Sequence, residues 1–482
     1  MDFISLRFNV FVLAAVMVFY LCPDRYRVRI AMPLLDVIFI SSFVTNIAQL
    51  LPMAAFLLLG FLCIKVIERS PSRQSVILSI AAILAAFIYL KKYAFFAFVP
   101  GITWPYLAVG LSYIVFRVLH VLVDTYGGAL KERMSLVTYF NYNCLFLSFI
   151  SGPIQRFQEY REQERYIGKK EMSRGEVFNS FSRIINGYFK IAVFSTIFLS
   201  VHNECSVRLN SADYEFNVLN MLIMYSGACL TYTLYFYYNF AGYMDAVIGI
   251  GRFFGFELPE NFNRPFTSEG FLEFWSRWHI TLSDWFKTYI FNPLVKVFTY
   301  EWSYPKLIPY YGALAYFITF FLMGVWHGSS FSFLVYGLFL GLGVSVNKFY
   351  EVQMRKMLGK VSFNRLSENK IHRLIGAGLT YSYFSIALTC LWTDFDKLTW
   401  LFNKMGFFGF LVVFAAAGLF SSIVMLSVSM LKHLWDKSVK GISFLSRDFY
   451  FRQGYLSFKV FLLIAIVVSK FFAIPEFVYK AF

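Results

Sequence analysis

Two histidines stand in stretches that are otherwise aromatic and aliphatic: His279 within FLEFWSRWHITLSDWF (residues 271–286) and His327 within MGVWHGSSFSFLVYG (residues 323–337). An imidazole titrates near neutral pH and accepts a proton from a hydroxyl, which is the chemistry of a general base. Holding such a ring at membrane depth is costly, so its presence there marks a candidate for function. The plainer alternative is a packed ring that satisfies a backbone carbonyl, and the residues alone leave both readings open.

The surroundings of the two differ. Read as one helix from Phe274 to Ile290 at about 100° per residue, the first stretch gathers Trp275, Trp278, His279, Leu282, Trp285, Phe286, Tyr289 and Ile290 on one broad face. Arg277, Thr281, Asp284 and Thr288 fall opposite. His327 instead ends a long apolar run, lies between Gly324 and Gly328, and is followed by Ser329 and Ser330. A helix is expected to break there, and the glycines let backbone and ligand approach closely.

The elements that must position these rings follow from composition. Of 482 residues, 58% are hydrophobic, 21% aromatic and only 15% charged, against about 25% charged in ordinary soluble domains. This composition excludes a soluble globular enzyme and describes an all-α polytopic membrane protein. The net charge of +16 reads first as cytoplasmic loop charge. No separate basic module is present to hold nucleic acid. With about 20 apolar residues per spanning helix, the apolar segments make roughly ten to thirteen passes, with a break expected near Pro52 and spans over 103–124 and 135–151. The run Phe8 to Leu21 reads as a retained first helix, because Cys22-Pro23-Asp24 is a poor cleavage site for a signal peptide.

Between Ile250 and Phe271 the chain turns polar, with Gly251, Gly255, Pro259 and Pro265 as breakers, just after an aromatic run that carries Asn239 and leads to Asp245. Irregular backbone at membrane depth is tolerated only where protein or a watery cavity surrounds it, so re-entrant or interfacial segments around a cavity are expected here. The six cysteines show neither C-x-x-C nor Cys/His spacing, so no metal site or disulfide framework is indicated. Gly249 to Gly255 lacks the spacing and the βαβ context of a dinucleotide loop. No internal repeat was found, and a single membrane domain over 1–482 is the simplest organisation.

The stretches PENFNRPF (259–266), FWSRWHITLSDWF (274–286) and MGVWHGSSFSFLVYGLFLG (323–341), with weaker ones at LKKYAFF (90–96), SGPIQRF (151–157) and YFYYNFAGYMDAVIGIG (235–251), resemble the membrane-bound O-acyltransferases (MBOAT), in particular the bacterial alginate-acetylating type. The resemblance implies the MBOAT fold around a central tunnel, with a catalytic core over 85–345 and C-terminal transmembrane helices over 346–482. It implies transfer of an acetyl group from acetyl-CoA, with no tightly bound cofactor, to a hydroxyl. His327 then matches the family's principal catalytic histidine and His279 its second. Asp245 is kept from the family pattern, whereas Asn239 stands where the family usually has a carboxylate.

On that reading His279, Arg277 and Asn239 are the candidates for stabilising an oxyanion. Arg264, Arg277 and Lys287 are the nearest cations for the phosphates of acetyl-CoA, and Trp278 and Trp326 flank the histidines as further substrate-binding candidates. The resemblance implies a multi-pass protein of the bacterial inner membrane. It also implies an extracytoplasmic polysaccharide acceptor, such as alginate, cellulose or peptidoglycan, reached through a periplasmic SGNH-type partner acetyltransferase. Two alternatives stand beside it: D-alanyl transfer from a carrier protein to teichoic acid, and a transporter with no chemistry.

Overall fold

A lipid-embedded chain must satisfy its own backbone, and a helix does so within one segment. Among the described residues the regular elements are all helices, and the only strand-like pairing is an isolated antiparallel bridge between Phe262 and Trp278. This computed structural model describes residues 5–130, 132–167, 171–210, 218–302, 304–438, 449–469 and 475. Of the C-terminal helices expected over 346–482, residues 439–448, 470–474 and 476–482 lie outside that description.

Seven helices among the described residues are long and apolar enough to cross a membrane, and Leu6–Leu21 and Gln453–Ile466 are shorter apolar helices. The protein is an all-α membrane protein, and among the described residues the long spans are fewer than the ten to thirteen expected. The difference has local causes. The segment expected to span 103–124 is helical only over Leu111–Tyr126, and the one expected over 135–151 only over Leu136–Cys144. Near Pro52 the chain breaks as expected: Met32–Ser41 ends, a 3-10 turn follows, and Leu51–Arg69 begins with the proline in its first turn, where the missing N–H costs nothing.

The chain divides into two compact units. One holds the residues up to Tyr188 together with Gly242–Glu260, and the other holds Phe189–Ala241 together with Asn261–Pro475.

In the first unit, two buried polar side chains explain why the helix stops at Cys144. Arg117, 1% exposed, donates through Nη1 to the carbonyls of Tyr142 (3.0 Å) and Asn143 (2.9 Å) and through Nη2 to that of Ser148 (2.8 Å). Buried Asp36 accepts from the N–H of Phe146 at 2.8 Å. Backbone groups freed by leaving the helix would be expensive if unpaired, and these side chains supply the partners. A periodicity argument has no view of either.

The second unit contains both histidines. Its helix Ile308–Trp326 packs along Phe331–Glu368 at very short range: a Cβ added at Gly324 would lie 2.3 Å from the Cα of Gly337. Small residues at such crossings let two helix backbones approach, a habit of membrane helix pairs. That crossing sits one turn before His327 and fixes the end of the helix that presents it.

Candidate active site

Residues 274–290 do not form the continuous helix that the sequence pattern suggested. A short helix, Phe271–Trp275, ends in a turn at Ser276, and His279 adopts φ 46° and ψ 51° before a second helix, Ile280–Phe286, begins. A left-handed residue other than glycine costs roughly 1–3 kcal/mol and persists only where its surroundings impose it. Here they do: the N–H of Asn263 donates to the carbonyl of Arg277 (2.9 Å) and that of Ile280 to the carbonyl of Asn261 (3.0 Å). The PENFNRPF stretch is thereby stitched to the FWSRWH stretch on either side of the Phe262–Trp278 bridge.

The stitch delivers one buried side chain to the histidine. Asn261 Oδ1 lies 3.3 Å from His279 Nδ1 and accepts from the N–H (3.1 Å) and hydroxyl (3.0 Å) of Thr281. Because a backbone N–H only donates, the atom facing Thr281 is the amide oxygen, and His279 Nδ1 carries the proton that points at it. His279 is 1% exposed, with its ring edge-on to Phe240 at 4.9 Å. Burial pushes its pKa well below the usual value, and the nearby His327 imidazole adds to that. The ring is neutral at physiological pH.

His327 caps the helix Ile308–Trp326. Its Nδ1 lies 2.6 Å from the carbonyl oxygen of Met323, and its ring packs against Trp326 (4.9 Å) and Tyr336 (5.5 Å), with 6% of the residue exposed. A carbonyl oxygen only accepts, so Nδ1 holds the proton and Nε2 is the basic nitrogen of the neutral ring.

The remaining candidates are distributed as follows. Trp278, 2% exposed, is built into an aromatic box of Phe236, Phe262, Phe274 and Phe384, with ring centroids 4.9–5.7 Å away. Trp326 touches the His327 ring directly. Asn239 is fully buried beside Ser195, whose hydroxyl oxygen lies 3.5 Å from its Nδ2. Asp245 belongs to the first unit, where Arg183 holds it at 3.1 Å and also holds Glu260. Arg277 is engaged by Glu273 at 2.5 Å and by the Thr267 hydroxyl at 3.2 Å, while Arg264 and Lys287 are exposed. Trp326 and His327 thus touch, and His279 lies within electrostatic reach of His327. The structure leaves the three cations at the surface of their unit. Asn261 was not singled out from the sequence, although a polar residue between Pro259 and Pro265 in the breaker segment was the available sign.

Comparison with known sequences decides the family. The sequence model of the MBOAT, membrane-bound O-acyltransferase family, matches residues 75–366, more than half of the chain. The chain belongs to the membrane-bound O-acyltransferase family. Within it, this MBOAT protein is similar to a protein named teichoic acid D-alanyltransferase in Bacillus subtilis, with 29% identity over 52% of this chain and 60% of that one. It is similar to one named probable alginate O-acetylase AlgI in Pseudomonas syringae, with 28% identity over 50% of this chain and 43% of that one. It is likewise similar to one named peptidoglycan O-acetyltransferase in Helicobacter pylori, with 27% identity over 61% of this chain and 60% of that one. The chain thus spans about half of these relatives' lengths, and the matched MBOAT region contains both histidines and Asn261.

Proposed function

We propose that this protein is an O-acyltransferase that takes an acetyl group from cytoplasmic acetyl-CoA and passes it to a hydroxyl, for O-acetylation of an extracytoplasmic polysaccharide. The observation that carries the reading is the 2.6 Å contact between His327 Nδ1 and the Met323 carbonyl, which supports Nε2 as the base. In the reaction, Nε2 removes the proton from the attacking hydroxyl as its oxygen bonds to the thioester carbon. The tetrahedral intermediate collapses, the C–S bond breaks, and the proton passes to the departing thiolate. Base assistance of this kind contributes typically about 10²- to 10⁴-fold.

A multi-pass location in the bacterial inner membrane fits a donor on one side and a polymer on the other. Arg264, Arg277 and Lys287 would meet the CoA phosphates from the surface of their unit, Trp326 would line the approach to His327, and Trp278 and Asn239 would shape the pocket from within. Asp245 would act only through its pairing with Arg183. A periplasmic partner transferase would complete delivery to alginate, cellulose or peptidoglycan.

The names of the Bacillus relative and of a Streptococcus thermophilus relative that is 28% identical favour a second reading, D-alanyl transfer from a carrier protein to teichoic acid. One experiment tests both. The full chain in lipid nanodiscs is given either acetyl-CoA or a D-alanyl thioester on its carrier protein, and released thiol is measured for wild type and His327→Ala. The donor consumed identifies the reading, with loss in the variant expected. Thiol release from neither donor, or equal release by the variant, overturns the proposal and would leave a transporter in its place.

A further inference from the structure

Transfer to a hydroxyl passes through an oxyanion, and the two imidazoles do not provide an obvious second donor for it. Both Nδ1 atoms are directed at protein oxygens, of Met323 and of Asn261. The side chain that offers one is Asn261. It is 1% exposed, its Oδ1 takes three contacts, and its Nδ2 is buried with no hydrogen-bond partner. The orientation is not adjustable: the Thr281 N–H demands the oxygen on its side, so the NH₂ must face the other way. A buried amide donor left unpaired costs about 1–3 kcal/mol, and such groups persist where something else occupies them during function.

We infer that the Nδ2 of Asn261 donates to the acyl oxygen as it becomes an oxyanion, making Asn261 a catalytic residue of the proposed transfer. This rests on the acyl-transfer reading above. The carboxamide is directly hydrogen-bonded to His279, and His279 lies within electrostatic reach of the His327 imidazole. As the hydroxyl oxygen bonds to the thioester carbon, the carbonyl π pair moves onto oxygen and the hydroxyl proton goes to His327 Nε2. Nδ2–H then stabilises that oxygen until the C–S bond breaks and the carbonyl re-forms. A donor of this sort is stronger toward the anion than toward the ground-state carbonyl, so it raises turnover more than binding. It displaces Arg277 and Asn239 from that role, since the structure gives those side chains other partners.

The test is Asn261→Asp, which keeps the acceptor for Thr281 and His279 and the side-chain shape but removes the NH₂. Full chain in nanodiscs is supplied with acetyl-CoA, and in a second arm with the D-alanyl carrier thioester, and thiol release is followed against donor concentration. A loss of about 10²- to 10³-fold in kcat, with KM changed by less than about threefold, is expected for one lost oxyanion donor. Turnover within about threefold of wild type would overturn the assignment. If the Asp variant is not recovered as monodisperse protein, Asn261→Ala is read instead: it has no side-chain donor, and the same loss in kcat is expected. Failure of both variants to fold would show the amide to be a structural tie and would overturn the inference as well. Wild-type protein inactive with both donors would defeat the acyl-transfer reading itself, whereas active wild type with equally active Asn261→Asp defeats only this step.

Discussion

The Nδ1 of His327 and the carbonyl oxygen of Met323, one turn earlier in the same helix, lie 2.6 Å apart. That contact separates the structural duty of the ring from its chemical one. An Asn at 327 places its amide nitrogen where Nδ1 stood, so His327→Asn keeps the tie to Met323 and loses only Nε2. Thermal stability within a few degrees of wild type is expected, with thioester turnover down by about 10²-fold or more. Unfolding followed by tryptophan fluorescence, beside thiol release, checks it. Losses that run together would return the histidine to a packing role.

Gly324 tests how tightly the His327 helix must be held. An added methyl would meet the Cα and N of Gly337 at 2.3 and 2.6 Å, both backbone atoms that no rotamer change can move. Gly324→Ala is expected to cost about 1–3 kcal/mol and to lower turnover, because the N–H of His327 bonds the Gly324 carbonyl at 3.2 Å. On the same helix Gly312 has its nearest atom, the flexible end of Lys348, at 3.8 Å. Gly312→Ala is therefore expected to raise the unfolding temperature, by about 0.4–1 kcal/mol in free energy. Equal unfolding shifts in the two variants would contradict the crossing.

Both histidines were legible because imidazoles are rare among such apolar neighbours, and the breakers at Pro52 and from Gly251 to Pro265 were legible because their φ/ψ restrictions are local. The turn at His279 was not. A helical pattern through Phe274–Ile290 is consistent with the spacing of its aromatic residues, and the left-handed residue is imposed by the hydrogen bond that the Asn261 carbonyl accepts and the one that the Asn263 N–H donates, both outside any window of that pattern. The truncation at Cys144 is the same kind of case, decided by Asp36 and Arg117 from distant segments. Asn261 was missed because its importance lies in an amide whose two ends differ in satisfaction, a property of packing rather than of residue type.

Arg117 carries the clearest stability prediction. Its guanidinium forks to three carbonyls of a segment that is not helical, and an ammonium, a compact point charge on a flexible stem, does not reproduce that planar fork. Arg117→Lys is expected to leave at least one of these carbonyls unpaired at about 1–3 kcal/mol. Arg117→Ala, which removes the partner of all three carbonyls, is expected to cost more than Arg117→Lys. The readout is the yield and unfolding temperature of detergent-extracted full chain. A yield unchanged in Arg117→Ala would show that the segment is held by other means.

His279 gives a pH dependence whose sign is fixed. Its folded-state pKa is pushed below the ordinary value of 6.5, first by burial and then by the neighbouring His327 imidazole. Near and below pH 6.5 the unfolded chain therefore binds a proton that the folded chain refuses. Stability rises with pH wherever the unfolded state holds more protons. The contribution is thus present above the unfolded value and is lost progressively as pH falls from there toward the folded value. His279→Asn removes the titrating group while keeping a residue that tolerates the left-handed backbone. Unfolding temperatures of the two proteins, measured from pH 7.5 to 5, are expected to converge as the solution is acidified, because only the wild type loses the buried-neutral advantage. Parallel curves across that range would mean that the ring titrates alike in the folded and unfolded protein, and the burial of the Asn261–His279 pair would then need another account.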